Sequence, residues 1–246
     1  AGHGALTGMV ADFIIMLEGA SLFTAGPPLV EASLGIKTTP EELGSASMHA
    51  TQSGVVHNLV SDEAQAVALA RDYLSYMPQR RREPTPRSTD RPEAQPSDVD
   101  ALLDIIPPTG NQSYDMRSVL QMLADDGACI LLQPAYGPSM LCALARVGGI
   151  ATMVVANQPN VLAGAITVAA AEKATHFIDV ANAFGLPLLT LLDNPGVMPG
   201  PQSEREGVLK AAGRMFAAQR RYCGCKIVVT LRKAFGFGSS VMGMNP

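Results

Sequence analysis

The chain has no tryptophan, and phenylalanine and tyrosine together make up only 5% of its 246 residues. It therefore has little material for base-stacking platforms, and a formal charge of −4 gives no basic surface for nucleic acid. No nucleic-acid partner is expected. No apolar run reaches the roughly 18 residues of a membrane span, so no membrane partner is expected either. The cysteines, Cys129, Cys142, Cys223 and Cys225, fit neither a zinc ribbon nor a C-x-x-C redox pair, and are expected to be buried or half-buried free thiols. His3, His49, His57 and His176 are scattered without H-E-x-x-H spacing, so no metal is expected. Also missing are G-x-S-x-G, a Walker A loop, a Rossmann fingerprint and any obvious carboxylate pair. The chain opens at Ala1 without a visible signal peptide, and the reading is that it lacks its natural N-terminus.

What is present is an alternation of strand and helix signals. Phe13 to Leu17 and Val55 to Val60 read as strands, with Ser21 to Thr24 as a further short one. "TTPEELG" is a helix start in which Thr39 caps, Pro40 opens the first turn and Glu42 completes a capping box. "SDEAQAVALARDYLSYMP" is an amphipathic helix whose expected apolar face is Val67, Ala70, Leu74 and Met77. "QRRREPTPRSTDRPEAQPSDVD" then offers almost nothing to bury and reads as an exposed linker, though Arg80, Arg81 and Arg82 could meet an anion.

Beyond the linker, Asp115 caps a helix running to about Ala124, and two strands flank the hairpin signal Gly148-Gly149. A helix from about Thr167 to Phe184 closes at Gly185. The strand Pro187 to Leu192 runs into "DNPGVMPG", a helix spans about Glu204 to Arg221, and Lys226 to Leu231 reads as a buried strand. Crossover helices between strands predict a mainly parallel sheet covered by helices, with function gathered where strands end. Asp193, at such an end, is either a base or a turn residue.

Two glycine turns remain, Gly2-His3-Gly4 and Gly236-Phe237-Gly238, the latter followed by Ser239 and Ser240. Each precedes an expected helix and could offer backbone amides to an anion. On the residues alone, a ligand site and a plain tight turn stay equally open. Thioester chemistry would suit the first, because an enolate oxygen needs preplaced donors.

The segments "EELGSASMHATQSGVVHNLVSDEAQAVALARDYLSYMP", "NQSYDMRSVL", "VVANQPNVLAGAITVAAAEKATHFIDVANAFGLPLLTLLDNPGVMPG" and "TLRKAFGFGSSVMG", in this order, resemble the carboxyltransferase (β) subunits of biotin-dependent acyl-CoA carboxylases. The propionyl-, acetyl- and methylcrotonyl-CoA carboxylases are the family in question. The resemblance implies an α/β protein of two crotonase-like domains, both incomplete in a truncated chain. Residues 1–78 would be the back of the first domain, 79–100 the linker, and 101–246 the front of the second. It further implies transfer of a carboxyl group from carboxybiotin, held on a carrier, to an acyl-CoA. Partners would be the biotin carboxylase/biotin carrier subunit and further copies of the chain, as dimers grouped into a hexamer. The setting would be the cytoplasm or the mitochondrial matrix.

By the same resemblance, the amides of Gly2 and His3 would hold the thioester oxygen, and those of Phe237 and Gly238 the biotin ureido oxygen. Gly236, Ser239 and Ser240 would lie at the biotin pocket. The chain departs from the usual pattern at three of these places. His3 replaces a glycine, Phe237-Gly238 replaces Gly-Ala, and "DNPGVMPG" replaces "DVPGFLPG". A biotin-dependent decarboxylase and a non-catalytic CoA-binding or assembly subunit are the alternatives.

Overall fold

The computed structural model describes residues 1–80, 83–88 and 96–243. The chain divides into two compact units, Ala1–Arg71 with Gln133–Tyr136, and Asp72–Leu132 with Gly137–Pro246.

The first unit holds α1 (His3–Gly8), β1 (Ile15–Leu17), α2 (Pro27–Leu34), α3 (Pro40–Gly44), α4 (Ala46–Met48), a π turn at His49–Ser53, β2 (Asn58–Val60) and the start of α5 (Glu63–Ser75). β1 and β2 pair in parallel, Ile15 opposite Asn58. The capping box forms as expected: the Glu42 N–H donates to Thr39 Oγ1 at 3.2 Å, and the Thr39 N–H donates to Glu42 Oε2 at 3.1 Å. Ser21, expected in a strand, makes an isolated bridge with Ser45 instead.

The second unit continues with α6 (Pro96–Ile105), α7 (Met116–Leu123), β3 (Cys129–Leu132), β4 (Met140–Val147), β5 (Ile150–Asn157), α8 (Val168–Phe184), β6 (Leu188–Asn194), α9 (Pro201–Glu206), α10 (Val208–Arg221), β7 (Lys226–Ala234) and α11 (Gly236–Gly243). Its five strands stand in the order β3-β4-β5-β6-β7. Pairings β3–β4 and β4–β5 are antiparallel, whereas β5–β6 and β6–β7 are parallel. The sheet is thus mixed rather than mainly parallel. The local hairpin at Gly148-Gly149 needs no crossover helix, and both glycines take the left-handed angles it requires, φ 60° and 79°. The Asp125 carboxylate accepts both turn N–H groups, at 2.9 and 2.6 Å.

Strand alternation sorts the core. Leu141, Ala143, Ala145, Val154, Ala156, Leu189 and Leu191 pack with Met116, Val119 and Leu120 of α7. The opposite face, with Met140, Cys142, Leu144, Met153 and Val155 fully buried, lies under α8. Each fully buried aliphatic side chain contributes about 1.5–3 kcal/mol of transfer free energy.

Other expectations shift. On α5 the buried residue is Tyr73; of the apolar stripe read from the sequence, Met77 is buried just past the helix end and Ala70 is half-buried, while Val67 and Leu74 are 57% and 64% exposed. The helix expected from Glu204 to Arg221 is two, α9 and α10, broken at Gly207 with φ 89°. β7 is an edge strand, not a buried one, and Ile227 is 56% exposed. Cys142 is buried and Cys129 half-buried, but Cys223 and Cys225 are exposed. Within the expected linker, Arg87 bridges Ile150, with the Ser88 N–H donating to Gly149 O at 2.8 Å and the Ala151 N–H to Pro86 O at 3.1 Å. Arg81 and Arg82 of the arginine cluster lie outside the described residues, and Arg80 pairs with Glu83 on the surface.

Candidate functional site: two glycine turns at helix starts

The first turn opens α1. Gly2 has φ 59°, and its N–H donates to the carbonyls of both Phe23 and Thr24, at 3.2 and 3.0 Å. That amide is already engaged within the chain, contrary to the expectation of a pair of open donors at Gly2 and His3. His3 and Gly4 occupy the first turn of α1, where N–H groups have no intrahelical acceptor. Beside them lies a cavity of about 370 Å³, lined by Gly2, His3, Leu6, Met9, Phe23 and Val55 among others. His49 borders it and is held at both ring nitrogens, by Ser53 Oγ at 2.7 Å and Leu22 O at 2.5 Å.

The second turn lies where β5, β6 and β7 end and α11 begins. Gly236 takes φ 53° and starts α11, and Ser239 Oγ donates back to Gly236 O at 2.8 Å. Phe237 is 47% exposed, while Gly238 and Ser239 are buried and Ser240 is half-buried. The N–H groups of Gly236 to Ser239 lie in the first helical turn, so Phe237 and Gly238 carry backbone donors of the kind that hold negative charge. Gly236, Phe237, Gly238, Ser239 and Ser240 are thus gathered in one place within the second unit. Gly2 and His3 belong to the first unit.

Two buried clusters underlie the second turn, and neither was read from the sequence. One surrounds Asp193, which is fully buried. Its Oδ2 accepts from Arg232 Nε at 2.7 Å and from the Tyr114 hydroxyl at 2.9 Å. Its Oδ1 accepts from the Lys233 N–H at 3.3 Å and lies 3.6 Å from Lys233 Nζ. Asp193 is therefore neither a free base nor a simple turn residue; it anchors the two cations that precede the glycine turn. Arg232 Nη1 also donates to the carbonyls of Pro107, Thr109 and Gln112, at 3.2, 2.7 and 2.9 Å. Burial, and then the hydrogen bond to Asp193, push the Tyr114 hydroxyl well above its ordinary pKa, so it stays protonated and donates.

The other cluster is an amide ladder. Asn157 Oδ1 accepts from the Asp193 N–H at 3.2 Å and from Asn194 Nδ2 at 3.1 Å, and Asn157 Nδ2 donates to Gly164 O at 3.1 Å. Gln158 reaches the other way, accepting from the Met116 N–H at 3.0 Å and donating to Asp115 at 2.7 Å. The sequence signal for both was the Asn-Gln pair at the end of an apolar strand, where polar side chains with no water must find protein partners. Among the described residues there is no group of His, Cys, Asp or Glu able to hold a metal, and no helix long and apolar enough to cross a membrane.

A family model for the carboxyl transferase domain matches residues 1–246. The chain is 35% identical over 236 residues to the methylmalonyl-CoA carboxyltransferase 12S subunit of Propionibacterium freudenreichii, covering 96% of this chain and 45% of that protein. It is 34% identical over 251 residues to the propionyl-CoA carboxylase beta chain of Saccharopolyspora erythraea, covering 99% of this chain and 46% of that one. It thus spans less than half the length of these relatives. A transcarboxylase 12S crystal structure, described as a hexamer assembly with methylmalonyl-CoA and methylmalonic acid bound, superposes with a TM-score of 0.94 at 33% identity, over 98% of this chain and 47% of that one. The mixed sheet, the crossover helices and the match along the whole chain lead to one conclusion: this is a crotonase-like α/β chain that belongs to the carboxyl transferase domain family.

Proposed function

We propose that the protein carrying this chain transfers a carboxyl group between carboxybiotin, held on a biotin carrier, and an acyl-CoA. Family membership along the whole length, and the helix start at Gly236 with its open N–H donors, carry this reading. Carboxybiotin would supply the carboxyl group and, once that group has left, the nitrogen that accepts the proton from the acyl α-carbon. The chain's own task is then electrostatic. The Ser239 hydroxyl donates to Gly236 O, and the buried Asp193 carboxylate at the second turn is taken up by Arg232, Lys233 and Tyr114.

The N–H groups of Phe237 and Gly238 would hold the ureido oxygen, with Gly236, Ser239 and Ser240 shaping the pocket. A ureido oxygen accepts and never donates, which fits a row of donors. In the first unit, Gly2 would supply the backbone bend and His3 the N–H that meets the thioester oxygen. The cavity beside them is walled mainly by apolar side chains, a surface suited to an acyl chain rather than to the charged part of coenzyme A. Losing one such donor costs on the order of a hundredfold in rate.

The wider organisation follows the same reading. Residues 1–78 and 101–246 would be parts of two carboxyltransferase domains joined by 79–100, in an enzyme that works with a biotin carboxylase/biotin carrier subunit as a homo-oligomer of dimers, in the cytoplasm or mitochondrial matrix. The test is to mix the assembled protein with an acyl-CoA and carboxylated free biotin and follow the CoA ester by mass. A gain of one carboxyl group on the ester supports the reading. Binding of the ester without transfer, in either direction, would show an assembly subunit instead.

A further inference from the structure

We propose that Asn194 is a positioning residue for the second turn, and that position 238 carries glycine because Asn194 occupies the space beside it. Asn194 is fully buried and makes three hydrogen bonds to three different segments. Its Oδ1 accepts from the Gly196 N–H at 2.9 Å, its Nδ2 donates to Asn157 Oδ1 at 3.1 Å, and its carbonyl accepts from the Phe235 N–H at 3.4 Å. The side chain therefore ties the end of β5 to the loop after β6, and the backbone carbonyl of the same residue holds Phe235, just before the Gly236 turn. Through the Gly196 bond it also draws that loop over α11.

The consequence is visible at Gly238. A Cβ placed there would lie 2.4 Å from Asn194 Oδ1, 2.6 Å from Gly196 Cα and 2.8 Å from Gly196 C. These contacts are far below van der Waals separation, and two of the three involve backbone that Asn194 itself holds in place. Gly238 shows no positive φ, so glycine is required here by close approach and not by backbone angle. Gly164 closes the other flank, where an added Cβ would lie 2.5 Å from Asp193 O and 3.2 Å from Asn157 Cβ. The packing sets how far the Phe237 and Gly238 amides stand from the strand ends. Asn194 and Gly238 thus form a matched pair, and a change at one is tolerated only with a change at the other.

The kinetic part of this inference rests on the carboxyl transfer reading; the structural part does not. The test is a double-mutant cycle of Gly238→Ala, Asn194→Val and the two together, in the assembled protein, with carboxyl transfer from carboxylated free biotin to acyl-CoA and thermal unfolding measured in parallel. Gly238→Ala is expected to lower kcat per folded molecule about thirtyfold with little change in the KM for acyl-CoA, the size of an overpacking penalty at a buried site. It should also lower the melting temperature by about 5 °C or more. Adding Asn194→Val, which removes Oδ1 and releases Gly196, should return at least about fivefold of the lost kcat and part of the lost melting temperature. If Gly238→Ala fails to fold, recovery of folded protein in the double variant gives the same support. Strictly additive losses, or a double variant that also fails to fold, would overturn the pairing. A lowered melting temperature with parental kcat per folded molecule would overturn the positioning role. A parent without carboxyl transfer would refute the functional reading, and the melting arm would still decide whether the two positions are coupled.

Discussion

The two glycine turns have the same outline and different foundations. At the first, α1 is six residues long, Ala5 is its one buried residue, and Leu6, Met9 and Val10 face outward. At the second, α11 buries Gly238, Ser239, Val241 and Met242, and Gln219 Nε2 donates to Met242 O at 2.7 Å near its other end. Beneath it lie a buried ion-pair cluster and a buried amide ladder. A backbone donor is useful in catalysis when it cannot reorient, and buried, hydrogen-bonded side chains packed beneath it help to fix it. Within its own unit the second turn has that support, and the first has little beyond the Gly2 bonds to Phe23 and Thr24.

The sharpest way to break this contrast is to remove Arg232. Arg232→Met would leave the buried Asp193 carboxylate with the Tyr114 hydroxyl and a single cation, Lys233, and should cost about 3–5 kcal/mol in thermal unfolding. A loss below about 1 kcal/mol would mean the cluster does not brace the second turn. Next in size is Phe237→Pro. Proline suits the first turn of a helix and removes one N–H, and the Phe237 side chain is largely exposed, so folding should survive while turnover falls about a hundredfold. Unchanged turnover would place the donors elsewhere.

A smaller effect tests the far face of the same sheet. Burial pushes the Lys173 amine down to about 8 from its ordinary 10.5, and pushes the Cys142 thiol up to about 12 from 9.0. Above about pH 8 the unfolded chain keeps a lysine proton that the folded chain has released, so stability rises with pH. Above about pH 9 the unfolded thiol ionises while the folded one does not, which opposes the rise. The expected result is a gain of about 1 kcal/mol between pH 8 and 9, a plateau to about pH 10.5 and a fall above it, with the gain absent in Lys173→Met. Stability falling steadily from pH 8 would contradict the burial of Lys173. Smallest of all, Thr39→Ala in the first unit removes half of a capping box and should cost about 0.5–1 kcal/mol without touching the second turn.

The contrast also explains what could be read without coordinates. Thr39 with Glu42, Asp115 at the head of α7, and Thr167 and Gly185 at the ends of α8 all form bonds within a few residues of themselves, and Gly148-Gly149 marks a two-residue turn by its left-handed angles; each was legible. α2 carries the same kind of signal, Pro27 at its start and Gly35 at its end, but its eight residues show no clear apolar period. β3 is four residues, "CILL", too short to show a period, and acquires its identity from pairing with the next strand, β4. The outward-facing Val67 and Leu74 and the half-open face of β7 depend on what lies opposite them, which periodicity does not encode. The glycine turns were found because glycine marks backbone directly. Their bracing was not, because Asn157, Asn194, Asp193 and Arg232 are remote in sequence and meet only when the strand ends are brought side by side.

The most direct measurement is a structure of the assembled protein with biotin bound at the second turn. The account predicts that the ureido oxygen accepts hydrogen bonds from the N–H groups of Phe237 and Gly238, with Asn194 still bonded to Asn157 and Gly196. A ureido oxygen held by other groups, with the Phe237 and Gly238 amides facing solvent, would contradict it.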